Sequence, residues 1–165
     1  MYSKAFGVIC STLLSGTAVA MSAPVSADLL LDICRAPTLE EAARLGDGLG
    51  WSRQTDAETQ EWRTSFNAYN GGSVNVVGWR SGEADDAQIL AYWVSDGPNV
   101  HTACAYSAPS ADSLLDALRE RLGPPDSLEH HEELEMTSAW WTRGSLAYSF
   151  NQVGSRLGFT VGPAE

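Results

Sequence analysis

Apolar residues in this chain recur at every second position in short runs, separated by tight turns. The runs cover residues 61–67, 73–80, 87–94 and 99–107, then 133–142, 145–151 and 156–162. A period of two marks strands whose alternate side chains point to opposite faces. Turns as short as Asn70-Gly71-Gly72, Gly82-Glu83, Asp96-Gly97-Pro98, Arg143-Gly144 and Val153-Gly154 join antiparallel neighbours. The period becomes helical in two places. Thr38, with Glu41 three residues on, reads as a capping box opening a helix striped by Leu39, Ala42, Ala43 and Leu45 and ended by Gly46, Gly48 and Gly50. Pro109-Ser110 opens a second helix, lined by Leu114, Leu115, Leu118 and Leu122 and stopped by Gly123-Pro124-Pro125. Leu29 to Ile33 form a short apolar turn halted by Pro37, and the polar residues 52–60 read as a loop. The expectation is one α+β domain, with the order helix, four strands, helix, three strands. Its meandering antiparallel sheet would have about six to seven strands, with two main helices. Each half runs from a Leu-Gly helix end into a Trp-containing strand, an order that a duplication would explain; the two features are also common individually.

Residues 1–27 stand apart from this plan. Lys4 is followed by the uncharged run Ala5–Leu14 and then by small residues through Ala27, the layout of a cleavable secretory signal. The run is too short to span a bilayer core, which needs about twenty residues, so no membrane span is expected after cleavage. Ala18-Val19-Ala20 and Val25-Ser26-Ala27 both fit the small-x-small rule. The second is favoured because polar, helix-like sequence begins at Asp28, which makes residues 28–165 the mature domain. Cys10 lies inside the apolar run, and a lipoprotein cysteine would follow it. The expected destination is outside the cytoplasm of a bacterium, in periplasm or medium.

Removing residues 1–27 also removes Cys10, leaving Cys34 and Cys104, an even count in a compartment where disulfides persist. A bond between them closes a loop of about seventy residues and stabilises by about 4 kcal/mol at most. Zinc is a poorer reading, because neither cysteine has a second ligand at metal spacing.

The same cut takes one of ten cations, Lys4, and none of the twenty-one carboxylates, so the formal charge moves from −11 to −12. Nucleic acid and anionic membranes recruit basic surfaces, so neither is an expected partner. If charge selects a partner, that partner is a cationic protein; otherwise the charge serves solubility. The six tryptophans pose a different question. Ile89-Leu90-Ala91-Tyr92-Trp93-Val94 is apolar on both faces, as in a strand covered on both sides or one with an aromatic face kept for a partner. Trp140 and Trp141 are adjacent in a strand and must point opposite ways, so only one of them can enter a helix-covered core. Tyr92, Trp93, Trp140 and Trp141 are the candidate binding surface, with its use resting on which members face outward. Homo-oligomerisation through such aromatics is a further possibility.

Catalytic chemistry is harder to find. In Glu129-His130-His131-Glu132-Glu133-Leu134-Glu135 an extended backbone would align His131, Glu133 and Glu135, a conceivable divalent-ion site, yet the spacing is not that of a zinc hydrolase. Alternation with Leu134, Met136 and Trp140 reads more simply as a half-exposed strand. His101 falls opposite Cys104 on its strand, as a half-buried structural histidine would. Gly46-Asp47-Gly48-Leu49-Gly50 follows a helix and lacks a phosphate-binding Lys, so it is a helix end. No catalytic residue and no cofactor is assigned. The leading expectation is a non-enzymatic envelope binding or accessory module, inhibitor- or assembly-factor-like, for a protein partner. The alternatives are a metal-assisted hydrolase using His130, His131 and the adjacent glutamates, and a structural envelope component.

Overall fold

Ser26 starts the first helix. Its hydroxyl accepts the Leu29 N–H at 3.3 Å, satisfying one of the donors that a helix start leaves free. The computed structural model describes residues 25–109 and 113–164, so the expected leader lies outside the described residues as far as position 24. In chain order the elements are α1 (Ala27–Cys34), α2 (Leu39–Asp47), β1 (Ser52–Arg53), α3 (Asp56–Asn70), β2 (Ser73–Ser81), β3 (Gln88–Asp96), β4 (Thr102–Pro109), α4 (Leu114–Leu122), β5 (Ser127–His131), β6 (Met136–Arg143), β7 (Leu146–Val153) and β8 (Arg156–Pro163). All strands join one antiparallel sheet in the order β1-β2-β3-β4-β8-β7-β6-β5. Two meanders, β2–β4 and β5–β8, therefore meet where β4 pairs with β8.

The α+β class and the antiparallel meander agree with the sequence reading, but the counts do not: the described residues hold eight strands and four helices. Residues 61–67 are the middle of α3 and not a strand. A complete capping box starts that helix, with Thr55 Oγ1 accepting the Glu58 N–H and the Glu58 carboxylate accepting the Thr55 N–H at 2.7 Å. Gly71 ends it in the left-handed conformation, at φ 69°. These two end signals enclose the polar stretch 52–60 and the apolar-alternating stretch after it, and they outweigh the alternation. Thr55→Ala should destabilise by about 1 kcal/mol, read as faster amide exchange in α3 than in β2. Residues 127–131 add the edge strand β5. A 3-10 turn over Glu132–Leu134 then leads into β6, with Glu135 at φ 47°.

Helices α1, α2 and α4 cover one face of the sheet, here the inner face. Trp79, Leu90, Tyr92, Cys104, Tyr106, Trp141, Phe150 and Phe159 point into it and are buried. Each large polar aromatic there finds a partner, as buried indoles and phenols normally do. Trp79 Nε1 donates to Asp47 Oδ1 (3.0 Å), Trp141 Nε1 to the Gly123 carbonyl (2.9 Å), and the Tyr92 hydroxyl to the Ala36 carbonyl (2.7 Å). Gly46 is more than a helix end, because a Cβ there would stand 2.2 Å from the Trp79 ring. The Cys34 and Cys104 sulfurs are 2.08 Å apart, at disulfide distance, and tie the end of α1 to β4.

The Tyr106 hydroxyl donates to Gln88 Oε1 at 2.8 Å, and burial pushes its pKa from 10.0 up to about 12. A tyrosine held neutral in the fold contributes stability that is complete below its unfolded pKa and is lost as pH rises toward the folded one. Chemical denaturation at pH 10–12 should therefore show stability falling in the wild type, with a shallower fall for Tyr106→Phe.

Candidate functional site: the outer face of the sheet

On the opposite, outer face, α3 is the one described helix. It lies over β2 and β3: the Trp62 ring is 5.1 Å from Trp93, and Phe66 is 5.8 Å from His101, just ahead of β4. Trp62 and Phe66 thus reach toward β4 and form a wall. Beyond it no described helix covers the sheet as far as the β5 edge, although Ala103, next to the wall, is buried and Arg156 reaches across Ser107 to the Asp85 carbonyl at one corner. The strand register aligns Gly78, Ala91, Ala105, Thr160, Ser149, Trp140 and Ser127 as one rung across this face. Neighbouring rungs add Ala103, Gly162 and Ala147 on one side and Ser107, Gly158 and Asn151 on the other. Strands β4, β8 and β7 therefore present a three-by-three block with no side chain larger than Asn. Trp140 bounds it on β6 and is 47% exposed.

The four candidate surface aromatics separate by strand parity. Tyr92 and Trp141 are fully buried on the inner face and are unavailable to a partner. Trp93 faces outward but is half-buried beneath α3, and its buried Nε1 finds no hydrogen-bond partner among the described residues. Trp140 is the freely presented member. The doubly apolar β3 is thereby explained, with Leu90 and Tyr92 in the helix-covered core and Trp93 under α3.

The acidic histidine cluster does not converge. His130 Nδ1 lies 2.9 Å from Thr137 Oγ1, while His131, the next residue along the strand, has Nε2 3.6 Å from Glu129 Oε2. The 3-10 turn holding Glu133 and the left-handed backbone at Glu135 break the extended alignment with His131. Among the described residues no three His, Cys, Asp or Glu side chains lie close enough to hold a metal ion. His101 occupies a structural position: its N–H donates to Ser95 Oγ at 2.8 Å, and its Nδ1 is 2.9 Å from the Asn99 carbonyl.

Two carboxylates near this face are held by local contacts. Asp126, just before β5, accepts the Thr142 N–H and pairs with Arg143 at 3.0 Å; these contacts hold its carboxyl below the usual range. The Thr55 N–H and hydroxyl do the same for Glu58 at the start of α3. Sequence reading placed Trp140 among four candidate aromatics and did not register the wall of α3 or the small-residue block. The alternation Gly158, Thr160, Gly162 on β8 was the available signal. Comparison with known protein families, characterised proteins and solved structures finds none that matches this chain. Among the described residues no helix is long and apolar enough to cross a membrane.

Proposed function

We propose that this protein is an exported, non-enzymatic binding module that engages a protein partner through the outer face of its sheet. The observation that carries the reading is the position of Trp140. It stands half-exposed in mid-strand beside a block of small residues that no helix covers, while its neighbour Trp141 is fully buried. A large exposed indole on a sheet face is the kind of anchor that dominates binding energy at protein interfaces. Affinity capture from envelope extract should recover a partner with wild type and lose it with Trp140→Ala, at unchanged thermal stability. Equal recovery by both proteins would show that the partner, if any, binds elsewhere; no recovery by wild type would contradict the reading itself.

Export entails removal of the leader, and the fold favours the earlier of the two sites. Val25 and Ala27 are each 7% exposed, and Ser26 caps α1. Cleavage after Ala27 would discard all three and place a charged amine at the positive end of the helix dipole, an unfavourable location. Cleavage after Ala20 keeps them. Intact-mass analysis of exported protein should give a chain beginning at Met21, and one beginning at Asp28 would contradict this.

A further inference from the structure

Two glycines on β8 have no reason internal to the fold. Gly158 and Gly162 lie in the strand interior, outside the positive-φ residues, so neither is needed for backbone conformation. A Cβ on Gly158 would come no nearer than 3.9 Å to its surroundings, and one on Gly162 no nearer than 3.7 Å, both ordinary contact distances. Glycine weakens a strand and often marks a place where a ligand or another backbone approaches closely. Here both glycines point outward, at the centre of the small-residue block, with Thr160 between them.

Resting on the binding-module reading, we infer that the block between α3 and Trp140 is a trough for one basic amphipathic helix of a partner protein. The width fits. From β3 to β6 is four strand spacings, about 19 Å, and α3 already overlies the β3 side. A second helix, about 10 Å across, packs about 8–10 Å from the α3 axis, two strand spacings on, which sets it over β4 and β8 with the two glycines beneath its far side. Trp62 and Phe66 then form one wall and Trp140 the other. The charge fits a cation. Glu58 and Glu61 lie on α3, and Glu129, on the outer face of β5, is followed by Glu132 and Glu133. The nearby cations are engaged: Arg63 pairs with Asp56, Arg80 of β2 faces the Glu58 carboxylate, and Arg156 donates to the Asp85 carbonyl and to Ser107 Oγ. A second copy of this chain would bring its own acidic α3 against these carboxylates, which argues against self-pairing.

The test titrates the protein with three synthetic 18-residue peptides: a Leu/Lys amphipathic helix, its Leu/Glu counterpart, and a Lys/Ser peptide of equal charge without an apolar face. The Leu/Lys helix should bind at least tenfold more tightly than the Lys/Ser peptide, and the Leu/Glu helix should not bind. The double variant Gly158→Val, Gly162→Val should weaken Leu/Lys binding at least tenfold while keeping or raising Tm, because β-branched residues suit a strand with space above it. Unchanged affinity in that variant would overturn the trough. So would a fall in Tm reproduced by Gly158→Ala, Gly162→Ala, since the glycines would then serve the fold. Self-association of wild type that the valine variant abolishes would replace the partner helix with a second copy. If envelope capture that depends on Trp140 survives in the valine variant, the helical occupant is refuted and the wider binding reading stands. Failure of wild type to capture anything removes that wider reading instead.

Discussion

Trp141→Ala should destabilise the protein by about 3–5 kcal/mol, the range for deleting a buried aromatic side chain, whereas Trp140→Ala should stay within about 0.5 kcal/mol. The two residues are adjacent and identical in chemistry, so the contrast isolates which face of the sheet each occupies. Trp141 has no exposed surface, and its loss also leaves the Gly123 carbonyl without the indole donor that ties the end of α4 to β6. A domain of this size has about 5–15 kcal/mol of total stability, so Trp141→Ala takes much of it. Urea denaturation of the two variants checks the pair, and equal midpoints would mean that the sheet has no single packed face.

Loss of the Cys34–Cys104 bond should be nearly as large. The bond spans a sequence separation of 70, for which restriction of the unfolded chain corresponds to about 4 kcal/mol at most. Both cysteines are buried among α1, β3 and β4. A Cys34→Ser, Cys104→Ser variant adds two hydroxyls to that apolar setting, and Cys34→Ala, Cys104→Ala separates the two effects. Both double variants should unfold at lower denaturant than wild type, the serine pair lowest. Wild-type protein assayed in excess reductant should fall toward the alanine pair. If reduction and both substitutions leave the midpoint unmoved, the cross-link contributes nothing to the fold.

What the sequence disclosed, and what it hid, follows from where each signal lies. Strand alternation on β2, β3, β4, β7 and β8 was legible because one face of each buries large residues against helices. The Trp140-Trp141 pair announced an inward and an outward indole by adjacency alone. Helix α3 was misread because its inner side is sparse. Thr59 is its one buried residue, so its helical period is faint, and Trp62 and Phe66 mimic the alternation of a strand. Its capping box, Thr55 with Glu58, was the readable sign. Strand β5 escaped because all five of its residues are exposed; an edge strand with no buried face has no period to show. The candidate site was only half visible. Trp140 stood out by size, but the trough beside it consists of Ala, Gly, Ser, Thr and Asn, and its meaning comes from register between strands far apart in sequence.

The most direct test of the outer face as the interaction surface is hydroxyl-radical footprinting of the intact protein, alone and in saturating envelope extract. Alone, Trp140 should react fastest of the six indoles and Trp79 and Trp141 hardly at all. In extract, Trp140 should become protected while exposed Leu128, on the inner side of β5, keeps its rate. A Trp140 rate unchanged in extract that protects Leu128 would contradict the assignment of the outer face.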